Sequence, residues 1–340
     1  MTLRTRILVL VSALVVLAGV ATASVLHASA RADRRNQARP GGPRITAGTV
    51  ALTGDGGRMV FRNMAWGPHR DELATVPASD PSGPRTASGV KCLRFYAAAG
   101  TGVCLQAVHG PVQDTYRAVV LDARLKERAR YDVPGIPSRA RVSPSGRYAS
   151  WTAFVGGDSY AGTNFSTRAA VVDTRTGKLT PSLEAYRVVK DGRIHHAADV
   201  NFWGVTFAAD DRTFYATLAT GGKTYLVRGD LRTRTVTTLR TNVECPSLSP
   251  DGTRVAFKKR AEGLPKDAPW HLYVLDLRTM RETPLAEPRS VDDQAVWRDD
   301  HTLVYALPGD YGADLYTVPS DGTGAPRRIS TAAVSPAYIG

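Results

Sequence analysis

Long amphipathic helices are missing from this chain. Beyond residue 30 no segment keeps an apolar stripe at i, i+3, i+4 and i+7, and 31 Gly with 21 Pro punctuate the sequence. That excludes a helical bundle. Reactive residues are also sparse, with three Cys and seven His in 340 residues. No G-x-S-x-G elbow occurs, and Gly156-Gly157-Asp158-Ser159-Tyr160 belongs to a loop rather than to a strand-to-helix elbow. No EF-hand spacing is present. Adjacent His195 and His196 point to opposite faces of a strand and chelate poorly. Asp292 and Asp293 are neighbours in sequence, unlike the facing carboxylates of glycoside cleavage. Catalytic residues, cofactors and metal ions are therefore not expected.

What the chain has is a repeat. Its clearest copy runs Leu248-Ser249-Pro250-Asp251-Gly252-Thr253-Arg254-Val255-Ala256-Phe257, a turn between two apolar stretches, followed by a third stretch, Leu272 to Leu277. Aligned on the turn, the copies fall at Gly56, Thr101, Gly146, Asp211, Gly252 and Asp300, in steps of 45, 45, 65, 41 and 48 residues. Four short strands with their turns need about 40–45 residues, the length of a propeller blade. The third strands begin at Leu73, Ala118, Ala169, Tyr225, Leu272 and Leu315, and several end on Asp. Near-continuous apolar runs suit strands covered on both faces by neighbouring blades. The expectation is an all-β, six-bladed β-propeller of four-stranded blades at about 45–90, 91–137, 138–200, 201–241, 242–288 and 289–330. Residues 331–340 either add a strand across the seam or trail.

The 65-residue step holds two insertions. One is a Gly-rich loop, Val155 to Phe165, between the second and third strands of blade three. The other contains a hairpin, Tyr186 to Ile194, turning at Asp191-Gly192. Long loops that a regular scaffold does not need tend to carry function. Ser159, Tyr160, Phe165 and Arg168 are the contact candidates there, with the two aromatics as anchors or, equally, packed on their own loop.

The N-terminus reads Arg4 and Arg6, an apolar run from Ile7 to Val20, and small residues to Ala30, in the order of an export signal. Residues 1–30 are either a cleaved signal, with sites near Ala23 and Ala30, or an uncleaved membrane anchor over 7–28. No Cys marks a lipoprotein, and Arg4 and Arg6 are not adjacent as in a twin-arginine signal. Residues 31–44 form a basic flexible linker. Of the formal net charge of +13, the linker and leader carry +6 and the propeller +7. We assign the propeller excess to outer strands, including Lys258, Lys259 and Arg260, as a solvated surface or an attraction for anionic wall components. Basic clusters interleaved with aromatics are absent, so nucleic acid is not an expected partner. A monomer is expected.

Cys92 and Cys104 flank the Ala97-to-Thr101 turn at similar distances, and export permits a bridge across that hairpin, although a one-residue slip would part them. Cys245 has no His or Asn partner and reads as a small buried apolar residue. The first strands of blades four to six bring Asp199, Asn201, Glu244, Asp292, Asp293 and Gln294 to one channel mouth. Such a set either binds a basic partner side chain, or weakly Ca²⁺ at Glu244 and Asp292, or caps backbone N–H groups at strand starts.

The Ser249-Pro250-Asp251-Gly252 repeat, with a second good copy at Ser143-Pro144-Ser145-Gly146-Arg147, resembles the PD40, WD40-like repeat of the TolB family over residues 45 to 330. The resemblance implies an exported, protein-binding six-bladed propeller of the bacterial envelope. Such a propeller links membrane components to peptidoglycan-associated partners and helps macromolecules cross the envelope. TolB proper carries an α/β domain before its propeller, where this chain has the linker. The contrasting reading is a propeller enzyme, or a sugar or small-ligand binder, that uses the central funnel.

Overall fold

A computed structural model describes residues 2–54, 57–110, 113–160 and 165–340. Gly56 of the repeat and Ala161 to Asn164 of the blade-three loop lie outside the described residues.

The chain begins with α1 (Leu3–Asn36), then β1 (Ile45–Ala47). Blade one has β2 (Arg58–Asn63), β3 (Glu72–Pro77) and β4 (Arg85–Lys91). Blade two has β5 (Arg94–Ala98), β6 (Thr101–Val108), β7 (Thr115–Leu121) and β8 (Glu127–Val133). Blade three has β9 (Ile136–Val142), β10 (Tyr148–Gly156), β11 (Ser166–Asp173) and β12 (Leu179–Thr180), and a hairpin follows as β13 (Arg187–Lys190) and β14 (Arg193–His195). Blade four has β15 (Asn201–Phe207), β16 (Thr213–Thr220), β17 (Lys223–Asp230) and β18 (Thr235–Thr241). Blade five has β19 (Glu244–Leu248), β20 (Arg254–Arg260), β21 (Trp270–Asp276) and β22 (Glu282–Pro284). Blade six has β23 (Val296–Trp297), β24 (Thr302–Leu307), β25 (Asp314–Pro319) and β26 (Arg327–Ser330), and β27 (Ala333–Ile339) ends the chain. Six sheets form a propeller ring.

The recurring turn explains the repeat. Gly252 N–H donates to Ser249 O (2.9 Å), Thr253 N–H donates to Asp251 Oδ1 (3.0 Å), and Gly252 sits at φ +70°. A side chain there is strained, so Gly closes the turn. A second signal ends the third strands. Asp122, Asp173, Asp230 and Asp276 each accept backbone N–H groups two to four residues on, at 2.7–3.2 Å. An Asx turn thus begins the outer hairpins of blades two to five.

Three boundaries differ from the expectation. Residues 49–54 are not a strand of blade one; β27 comes from the far end of the chain to pair with β2 as the innermost strand, in the register Arg58 to Ile339 and Asn63 to Ala333. Gly340 lies beside Gly57 where the first turn would be. The tail therefore closes the ring. The hairpin β13–β14 joins blade four rather than blade three, because β13 pairs in parallel with β18. Finally, α1 continues through Asn36 into the expected linker, and Arg39 then stacks over Trp66 (4.0 Å) beside Tyr311 (5.9 Å), at the seam of blades one and six.

Cys92 Sγ is bonded to Cys104 Sγ. The geometry is not that of facing hairpin residues, since Phe95 opposes Cys104. Cys92 lies in the connection after β4, where its N–H donates to Asp71 O (3.0 Å). The bridge therefore ties blade one to blade two.

The inner strands β27, β5, β9, β15, β19 and β23 surround the channel. Strand order puts the repeat turns on one face of the ring, here the turn face, and the connections between second and third strands on the other, the loop face. Near the loop face, β15, β19 and β27 each carry a bulge, with Gly204, Cys245 and Ser335 at positive φ. A Cβ on Gly204 would lie 2.6 Å from Cys245 Cα, so only Gly lets blades four and five meet there.

Candidate functional site

At the loop face the blade-three loop folds over the channel. Tyr160 is buried, its ring 5.1 Å from Trp203 and 4.6 Å from Phe154. Its hydroxyl shares a 2.5 Å hydrogen bond with Ser138 Oγ, and its carbonyl accepts from Arg260 Nη2 (2.6 Å). Burial raises its pKa above the usual phenol range. Tyr160 is therefore a plug and not an exposed anchor, because four rings bury one another at the mouth. Phe165 is half-buried and packs edge-on against Trp203 (5.4 Å). Ser159 and Arg168 are exposed.

Beneath the plug sits a charged cluster. Lys258 is fully buried, with Nζ 3.7 Å from the Trp270 ring centroid and 5.0 Å from that of Tyr160. It bonds Asp292 Oδ1 and lies 4.0 Å from Glu244 Oε2. Glu244 Oε1 accepts from Arg260 Nε (2.8 Å), and Arg139 Nη2 reaches Asp292 Oδ1 (3.3 Å). Partial desolvation disfavours the charge of the half-exposed Asp292, but Lys258 and Arg139 outweigh it and hold the carboxyl below its usual range. The assignment of Lys258 to an outer surface was thus incorrect: it lies on a second strand and faces a neighbouring blade. The weak calcium assignment at Glu244 and Asp292 also fails, because side-chain cations already occupy both carboxylates. Among the described residues no group of three or more acidic, His or Cys side chains is placed to hold a metal ion.

The six expected mouth residues are not one cluster. Asp199 accepts from Thr220 Oγ1 (2.7 Å) and Gly221 N–H (2.6 Å), and Asn201 Oδ1 accepts from Thr167 N–H (2.8 Å). Asp293 accepts from Ala306 N–H (2.9 Å). These three cap strand ends, the plainer alternative read from the sequence. Gln294 lies deeper, donating to Val205 O (3.1 Å) and Pro246 O (2.7 Å), and so ties blades four, five and six together. Only Glu244 and Asp292 converge, and they do so on Lys258.

Sequence reasoning missed the arginines. Arg94 on β5 and Arg139 and Arg141 on β9 line a channel cavity of about 30 Å³, with Tyr96, Asp293 and Ser335. Arg141 Nη2 donates to Ser247 Oγ (3.3 Å) and Ala295 O (3.2 Å), and its guanidinium lies over Tyr96 (4.4 Å). Burial, and then repulsion from Arg139, hold the Arg94 guanidinium below its usual pKa. The signal was present in Ser138-Arg139-Ala140-Arg141-Val142, whose period of two puts both arginines on one face of an inner strand.

No family model matches the sequence, and no curated protein matches it. Solved structures do. TolB from Acinetobacter baumannii aligns at 17% identity with a TM-score of 0.53, over 85% of this chain and 68% of that one. The fold is a TolB-like six-bladed propeller. A puromycin-hydrolyzing peptidase of Mycobacterium tuberculosis aligns at 16% identity and a TM-score of 0.46, over 82% of this chain but only 44% of its own. The β-propeller domain of the Trilobed protease from Pyrococcus furiosus aligns at 15% and 0.40, over 68% and 69%. Likeness at these identities speaks to fold alone. Within the TolB-like propeller, the plugged mouth and arginine-lined cavity are features of this chain's own residues.

Proposed function

We propose that this TolB-like propeller is an extracytoplasmic interaction module of the cell envelope. It is held at a membrane by residues 7–28 or released by cleavage near Ala23 or Ala30, and its partner is an envelope protein or an anionic wall component. One observation carries the reading. Outside α1, the exposed large apolar side chains among the described residues are Val108, Ile136, Val155, Ile194 and Leu239. Strand direction sets all five toward the loop face, on blades two and three, the added hairpin and its neighbour β18. Exposed apolar side chains gathered on one face mark an interaction surface. The Leu3–Arg31 helix, long and apolar enough to cross a membrane, supports the location.

Binding rather than catalysis is the proposal, because Lys258, Glu244 and Asp292 are committed to one another. Envelope crosslinking with full-length protein tests it. Ile136→Lys with Val155→Lys should abolish a specific adduct that wild type forms, while the thermal transition is kept. An undiminished adduct would remove the loop face from consideration. The second reading, a small-ligand binder using the funnel, is favoured by the open cavity at Arg94.

A further inference from the structure

We propose that the channel cavity bounded by Arg94, Arg139 and Arg141 binds a carboxylate. The proposal deepens the second reading, a small-ligand binder at the Arg94 cavity, and does not depend on the interaction reading.

Charge is the first argument. Arg94, Arg139, Arg141 and Lys258 face Asp292 and Asp293 across the channel, while Glu244 is balanced by Arg260. Among the described residues two positive charges are left without a counter-charge beside the buried Arg139 and Arg141, where an unpaired charge is costly.

Unused donors are the second. Arg139 and Arg141 are 7% and 5% exposed, and Nε of each has no hydrogen-bond partner among the described residues. Native proteins rarely leave buried donors unpaired. The Arg94 guanidinium makes no hydrogen bond among the described residues, although Asp293 is near enough to interact with it electrostatically. Asp293 itself is engaged by Ala306 N–H.

Size and shape are the third. About 30 Å³ exceeds the space one water requires. It admits a carboxylate and excludes a sugar ring. Guanidinium groups bind carboxylates through paired N–H donors. The cavity lies beside the Tyr160 plug on the loop-face half of the channel, so a carboxylate reaches it from that side. The group belongs either to a small acid or to the end of a polypeptide.

Calorimetric titration of the full-length protein in detergent at low salt tests the site, with succinate and with triglycine as free acid and as C-terminal amide. Arg94→Gln and, separately, Arg141→Gln should weaken carboxylate binding by about 10-fold or more. Arg94→Gln removes no hydrogen bond among the described residues and should keep the wild-type thermal transition. Arg124→Gln, on the exposed turn face, should leave binding unchanged. Binding of succinate and of the peptide acid, both weakened in Arg94→Gln, supports a site open to either source. Binding of the peptide acid without succinate or the amide supports a polypeptide terminus. Absence of binding up to about 10 mM, equal binding of amide and acid, or affinities unchanged in both variants would overturn the proposal.

Discussion

Deleting residues 331–340 should unfold the ring. The segment supplies β27, in which Ala333, Val334, Ala337 and Ile339 are buried. Burial stabilises by about 1.5–3 kcal/mol for a Val or Ile side chain and about 0.8 kcal/mol for each methylene-sized increment. The four together give roughly 5–8 kcal/mol. Arg85 adds to this. Its buried guanidinium donates to Ala332 O (3.1 Å) and to Thr331 O, and truncation removes both acceptors, at a further cost of about 1–3 kcal/mol. Loss on the order of 6–11 kcal/mol competes with the entire stability of a typical domain, about 5–15 kcal/mol. Residues 1–330 should therefore lose cooperative unfolding or melt lower by more than about 10 °C. A synthetic peptide spanning 331–340 should raise the melting temperature with concentration, as a ligand of the folded state does. Calorimetry or circular dichroism reads both effects. A truncated protein melting within about 2 °C of wild type would refute the clasp.

Three other outcomes are expected. Reducing the Cys92–Cys104 bridge, or replacing both residues by Ser, should cost about 3 kcal/mol for a loop of this length, seen as lower denaturant resistance in reductant. Tyr160→Ala should cost about 3–5 kcal/mol and make Trp203 and Trp270 markedly more accessible to acrylamide quenching; unchanged quenching would mean that Tyr160 does not cover these two rings. Hydrogen bonds from Arg212, against some burial, lower the Asp230 carboxyl to about 2, with help from Thr233 and Arg232 N–H groups. A depressed folded pKa gives stability that is present above the unfolded value near 4 and lost as pH falls toward 2, so Asp230→Ala should flatten the acid limb of a stability profile.

The blades were legible because their punctuation is local. A Pro-Asp-Gly turn and an Asp ending the third strand are set by neighbouring residues, and both recur at blade length. Closure by β27 was legible only as one of two alternatives for residues 331–340. Ala333 to Ile339 ends the chain where the other inner strands run into a repeat turn, so nothing follows it to align. The hairpin's partner was hidden for a related reason: the Asp191-Gly192 turn fixes β13 against β14 but not the blade that receives them. At the site, carboxylates at strand starts were found, yet the sequence could not show that Lys258 and Arg260, two strand-lengths away from Asp292, would turn inward to meet them. Tyr160 read equally as an anchor or as packed on its own loop, and its burial against Trp203 was out of reach because Phe154, Trp203 and Phe165 come together only when blades three and four pack.

The stacking of Arg39 on Trp66 sets a stand-off. If Leu3–Arg31 spans a bilayer, the leash from there to Arg39 is five helical residues at about 1.5 Å each and three extended ones at no more than about 3.3 Å, or roughly 17 Å at full stretch. Trp66 and Tyr311 lie on connections of the loop face, so the channel mouth would look toward the lipid across a gap thinner than most folded domains. With that anchor in place, whatever docks there would approach sideways, along the membrane plane, or rise out of the bilayer itself.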